Sequence, residues 1–143
     1  MLPESNRRKD IRESLVDGNS ALARGEYDAS LKAFEHVLVM AQDQPPADLA
    51  TYNIGLVYVH PQNPDKDRQK AIASFTGVIA KFPQSPWAEP AKIWVGVLNE
   101  SEQWQQETEK SRQLIEQSHE EIEQSRLTLE KAKQEMEKTR LEL

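Results

Sequence analysis

The chain reads as all-α: about two and a half antiparallel helix pairs stacked as a solenoid over residues 1–100, then one long charged helix over 101–143. Three observations predict this. First, an apolar pattern occurs twice, as Ser30-Leu31-x-Ala33-Phe34-x-x-Val37-Leu38 and as Ala71-Ile72-x-Ser74-Phe75-x-x-Val78-Ile79, 41 residues apart. Both copies carry the i, i+3, i+4, i+7 spacing of an amphipathic helix. Second, a glycine follows each copy at the same distance: Ser30 to Gly55 and Ala71 to Gly96 are both 25 residues. Third, Gly and Pro vanish beyond residue 100, where Glu, Gln, Lys, Arg and Ser dominate.

The elements follow in order. A first helix is expected from about Asp10 to Ala23, with Gly18 inside it. Gly25 stands just past its end, where a left-handed residue closes a helix, and Asp28 is placed to cap the helix that carries Phe34. Gln44-Pro45-Pro46 ends that helix, and a third runs from about Ala47 to Val59 around Gly55. Asp65 and Asp67 are read as caps of the fourth helix, which carries Phe75. Phe82-Pro83-Gln84-Ser85-Pro86 ends it, with Ser85 as the next N-cap and Pro86 at the first helical position. The fifth helix is expected from about Pro86 to Asn99 around Gly96, or, because Pro90 would sit less comfortably, from nearer Glu89. A glycine inside a helix costs about 1 kcal/mol against alanine. Three at equivalent positions therefore indicate close helix–helix approach. Phe34, Val37, Leu38, Ile54, Tyr58, Ile72, Phe75, Val78 and Trp94 are the expected core.

Composition narrows the function. The 143 residues include 18 Lys plus Arg, 24 Asp plus Glu, 3 His and no Cys. Without Cys there is no disulfide framework, thiolate zinc site, iron–sulfur cluster or thiol nucleophile. A net charge of -6 argues against a nucleic-acid binder, whose footprint is basic. No apolar run approaches the roughly 20 residues of a membrane span. No catalytic constellation assembles either: there is no Gly-rich phosphate loop and no paired histidine motif among His36, His60 and His119. Asp65-Lys66-Asp67 hints at a calcium loop, but Lys70 stands at the sixth place and Thr76 at the twelfth, where Gly and an acidic ligand are needed. The expectation is a non-enzymatic protein with no catalytic residues, no metal site and no cofactor.

The repeated unit resembles the tetratricopeptide (TPR) repeat, a pair of antiparallel helices. Gly18, Ser30 and Phe34 fill three signature positions of one repeat, and Gly55, Ala71, Phe75 and Pro83 fill four of the next. Gly25-Glu26-Tyr27-Asp28 is similar to the family's inter-helix turn. There are departures. The link between repeats is about three residues longer than usual, His60–Asp65 carries about four extra, and Gly96 has no following aromatic partner. Lys81-Phe82-Pro83-Gln84-Ser85-Pro86-Trp87-Ala88-Glu89-Pro90-Ala91 resembles the link in bacterial envelope TPR proteins of the BamD and CpoB type. That likeness implies a periplasmic or outer-membrane-associated protein; a cytoplasmic setting stays open.

The resemblance implies a groove lined by the first helix of each pair. Its lining would be Leu15, Asn19 and Leu22, then Leu49, Tyr52, Asn53 and Leu56, then Ile93 and Val97, receiving a protein or peptide partner. In the family's carboxylate clamp two Asn work with basic residues. Here Asn19 and Asn53 match the Asn, but Leu15, Pro90 and Trp94 stand where the cations should be. Without cations, carboxylate desolvation goes uncompensated, so a mixed apolar groove is expected. The alternative role for the two Asn is satisfying local backbone or water. Trp94 and Trp104 are expected in the core, Trp104 closing the solenoid's open end, and Trp87 is expected to be exposed.

From Glu109 the chain divides into five blocks of seven, each opening on Glu and ending on Ile115, Ile122, Leu129, Met136 or Leu143. These five form the a-position seam of a coiled coil, while d holds Ser111, Ser118, Ser125, Ala132 and Thr139. Glu123–Arg126, Glu130–Lys133 and Glu137–Arg140 at i,i+3 support the helix. So do Arg112–Glu116, Arg126–Glu130 and Lys133–Glu137 at i,i+4. Small d residues bury little area, leaving two readings: a conditional coiled coil joining copies of the chain, or a solvated single helix.

Overall fold

The polar start of the chain carries no breaker after Pro3, so the first helix begins earlier than its apolar periodicity suggests. In the computed structural model, which describes residues 3–142, α1 spans Glu4–Ala23. Pro3 stands before it, its carbonyl accepting from the Asn6 and Arg7 amides, and an Arg8–Glu4 ion pair ties the first turn. Gly25 ends it at φ 75°, and the Glu26 and Gly25 amides donate to the carbonyls of Ala21 and Leu22. This is the Schellman closure, with glycine taking the left-handed conformation.

The remaining helices are α2 (Tyr27–Ala41), α3 (Ala47–Val59), α4 (Arg68–Lys81) and α5 (Ala88–Glu142), and no strand occurs among the described residues. Asp28 does not cap α2. Glu26 holds that place without a side-chain bond, and Asp28 lies inside the first turn. At α4 it is Asp67 that caps, its Oδ1 accepting from the Lys70 amide at 3.0 Å. Ser85 acts three residues ahead of α5, its Oγ accepting from the Trp87 amide at 3.1 Å. Pro90 then falls in the first turn of α5, where its missing N–H costs no intrahelical bond.

The chain divides into two units, residues 1–99 and residues 100–143. In the first, α1 packs on α2, α2 on α3 and α3 on α4. The glycines set the approach. A Cβ on Gly18 would lie 2.5 Å from the Phe34 ring, and one on Gly55 would lie 2.6 Å from Phe75. The expectation fails at Gly96, which has nothing within 4 Å. No aromatic partner follows it in the sequence, so no helix presses on it.

Two core clusters result. The first holds Phe34, Val37, Ala41, Ala47, Ala50 and Val57, with Leu38 and Ile54 packed against it. The second holds Tyr52, Ala71, Phe75, Val78 and Ala91, joined by Tyr58 and Trp94. Helix α3 serves both, which is why it is apolar on nearly every side. Ile72 is half-buried. Trp94 stacks on Phe75 with centroids 5.7 Å apart, as a core role requires. Two tryptophans differ from expectation. Trp87 is half-buried, its ring 5.1 Å from that of Tyr52, because the turn before α5 folds back over α3. Trp104 is 64% exposed, further along α5 than Leu98, the last residue packed on the core.

The second unit is the remainder of α5, and every described residue from 103 to 142 is exposed.

Candidate interaction surfaces

Short side-chain links hold the helices that carry the expected groove. Ser30 Oγ, at the small position of the first repeated pattern, donates to the Gly18 carbonyl at 2.8 Å, locking α2 to α1 beneath Phe34. Ser85 Oγ donates to Oδ2 of the buried Asp48 at 2.6 Å, tying the turn before α5 to the start of α3. The longer loop after α3 is also ordered from within. Buried Asn63 donates to the Val57 carbonyl at 2.9 Å and accepts from the Asp65 amide at 2.9 Å, and His60 Nδ1 lies 2.9 Å from Tyr27 Oη. Sequence reasoning missed these. The inserted loop offered turn residues but no sign of which would turn inward.

The expected groove residues separate into four groups. Leu15 and Leu22 lie half-buried against the first cluster, Leu56 against the second, and Leu49 is half-buried. Tyr52 is drawn into the second cluster, meeting Phe75 edge-on at 5.4 Å. Its ring supports the fold rather than facing outward. Asn53 is buried and donates to Oδ1 of the exposed Asn19 at 3.4 Å, a contact that joins α1 to α3. Ile93 and Val97 are the open pair, 67% and 50% exposed on α5, with the bare Gly96 between them.

The seam residues form a second surface. Ile115, Ile122, Leu129 and Met136 are 59%, 66%, 58% and 73% exposed; Leu143 lies outside the described residues. Charge holds the helix that displays them. Arg112 pairs with Glu109 at 2.7 Å and with Glu116 at 3.6 Å. Arg126 pairs with Glu123 at 2.8 Å and Arg140 with Glu137 at 3.8 Å. The hydrogen bond from Arg126 holds the Glu123 carboxyl below its ordinary range, and Arg112 does the same to Glu109. Lys133, placed to pair with Glu130 and Glu137, makes neither ion pair. Arg126 does not reach Glu130 either, being engaged with Glu123.

Among the described residues no group of three His, Asp or Glu converges as a metal site would. No helix among those residues is long and apolar enough to cross a membrane. Set against family models, curated proteins and solved structures, the chain matches none.

Proposed function

We propose that the chain is a non-enzymatic protein–protein interaction scaffold of the TPR kind, with its long helix as the arm for assembly or docking. One observation carries the reading: the regular seven-residue stripe of exposed Ile115, Ile122, Leu129 and Met136 on a mostly polar helix, where the other exposed leucines, Leu114, Leu127 and Leu141, follow no such period. Burying a side chain of that size contributes about 1.5–3 kcal/mol. A stripe repeated every seventh residue and left in water is the mark of a surface that meets another protein. The open pair Ile93 and Val97 offers a smaller contact on the helix-pair domain, for a peptide or a partner helix. The likeness of the Lys81–Ala91 link to bacterial envelope proteins makes the periplasm or the outer-membrane surface the proposed setting.

A second reading has its own support. Tyr52, Leu15, Leu22 and Leu56 are engaged with the core clusters, which leaves the groove face little free apolar surface. Self-association through the tail would then be the main role, with the repeats as a spacer.

Photo-crosslinking in the cells that make the protein tests the proposal. A photoreactive residue at Ser118, and separately at Val97, should trap a protein adduct at one site or both. The Ser118 adduct should disappear with Ile122→Lys plus Leu129→Lys. A chain that traps no protein at either position overturns the scaffold reading.

A further inference from the structure

The tail's charges are sorted by seam position, and the sorting distinguishes one partner and one orientation. With Ile115, Ile122, Leu129 and Met136 at a, the e positions are Arg112, His119, Arg126, Lys133 and Arg140. The g positions are Leu114, Glu121, Thr128, Glu135 and Glu142. One flank of the stripe is thus basic or titratable throughout, and the other carries acid and no base. In a parallel pair of helices in register, g of one chain faces the next e of the other. That sets Glu121 against Arg126 and Glu135 against Arg140, each twice by symmetry. In an antiparallel pair, e faces e and g faces g, so like charges meet along both flanks. Resting on the scaffold reading, the geometry points to a second copy of this chain as the partner of the tail, in a parallel, in-register, two-stranded coiled coil over residues 111–142.

The helix is already prepared for this. The b-position Glu123 grips Arg126 through Nε and Nη2. A guanidinium carries five N–H donors, so that bond leaves capacity for a carboxylate from the second chain. The small d residues set the strand number. In two strands the d residues lie within the seam, but their small side chains leave it loosely filled and the Ser hydroxyls within reach of water. Three strands would enclose them more fully, at a desolvation cost. Thr139 needs no water, because its Oγ1 already donates to the Glu135 carbonyl at 3.0 Å. The small d residues also make the pairing weak, so that it forms only as concentration rises, since Ile, Leu and Met at a supply nearly all the apolar contact.

The full chain, purified, gives the test. Sedimentation equilibrium should show a monomer that becomes a dimer as concentration rises. Glu121→Arg with Glu135→Arg should weaken the dimer about tenfold or more, by placing base against base on both flanks. Adding Arg126→Glu and Arg140→Glu should restore it. The chain has no native Cys, so orientation can be read by oxidation. Ser111→Cys and Thr139→Cys chains, made separately and mixed, should each crosslink to their own kind. Disulfides joining 111 to 139 would overturn the parallel arrangement, and a trimer would overturn the two strands. A monomer at every concentration would overturn self-pairing altogether. The scaffold reading would survive that last result if the photoreactive residue at Ser118 still trapped a different protein.

Discussion

Phe34 and Phe75 lie where they do because glycine faces them. At Gly55 a methyl group would sit 2.6 Å from the Phe75 ring, which is itself fully buried and held between Tyr52 and Trp94. Gly55→Ala should therefore destabilise the protein by about 1–3 kcal/mol through overpacking, although alanine is the better helix former. Gly96→Ala is the control at the equivalent position. Nothing stands within 4 Å of it, so the same change should stabilise by about 0.4–1 kcal/mol. Urea unfolding of the two variants checks both signs. The sequence placed the three glycines at like positions; whether each is pressed by a ring depended on a helix that follows two of them and not the third.

Helix ends were legible where a side chain makes the ending and obscure where the backbone does. Asp67 caps α4 through its bond to the Lys70 amide, and its own amide donates to the Tyr58 carbonyl at 3.0 Å. Asp67→Ala should cost about 1 kcal/mol, read as a lower thermal midpoint, while Asp67→Asn should keep most of the stability. Asp65, two residues earlier and equally acidic, serves the loop through its backbone amide instead. Asp28 falls within the first turn of α2, because the Schellman closure at Gly25 delivers the chain into helix sooner than a capping side chain would require. At α5 the composition change near residue 100 marks a boundary between units, yet the helix itself does not break there. Charge pairs at i,i+3 and i,i+4 favour a helix as readily as core packing does, so an element can outlast the domain that started it.

In the whole molecule, both core clusters lie within the first unit, and no described residue of the second belongs to either. A chain ending at Glu107 should therefore unfold cooperatively, with a thermal midpoint within about 4 °C of the full chain. The loss of 1 kcal/mol in a domain of that size would move it further. Near-ultraviolet dichroism, which follows the aromatic packing, is the measurement. A truncated chain lacking that signal would show that the tail is needed for the first unit to fold.

Sequence alone determined the all-helical class, the duplicated pattern, the core positions Phe34, Val37, Phe75 and Val78, and the seven-residue stripe of the tail. All of these are periodic, and periodicity is a local property of the chain. Tertiary structure decided which residues of the expected groove turn inward. Tyr52 and Leu56 belong by spacing to an outward face. The turn before α5 brings Trp87 over α3, and Tyr52 then closes an aromatic cluster reaching Trp94. Asn19 and Asn53, 34 residues apart, meet because α1 and α3 do. Such pairings depend on how helices distant in sequence are set against each other, and the spacing within one helix carries no trace of its neighbour.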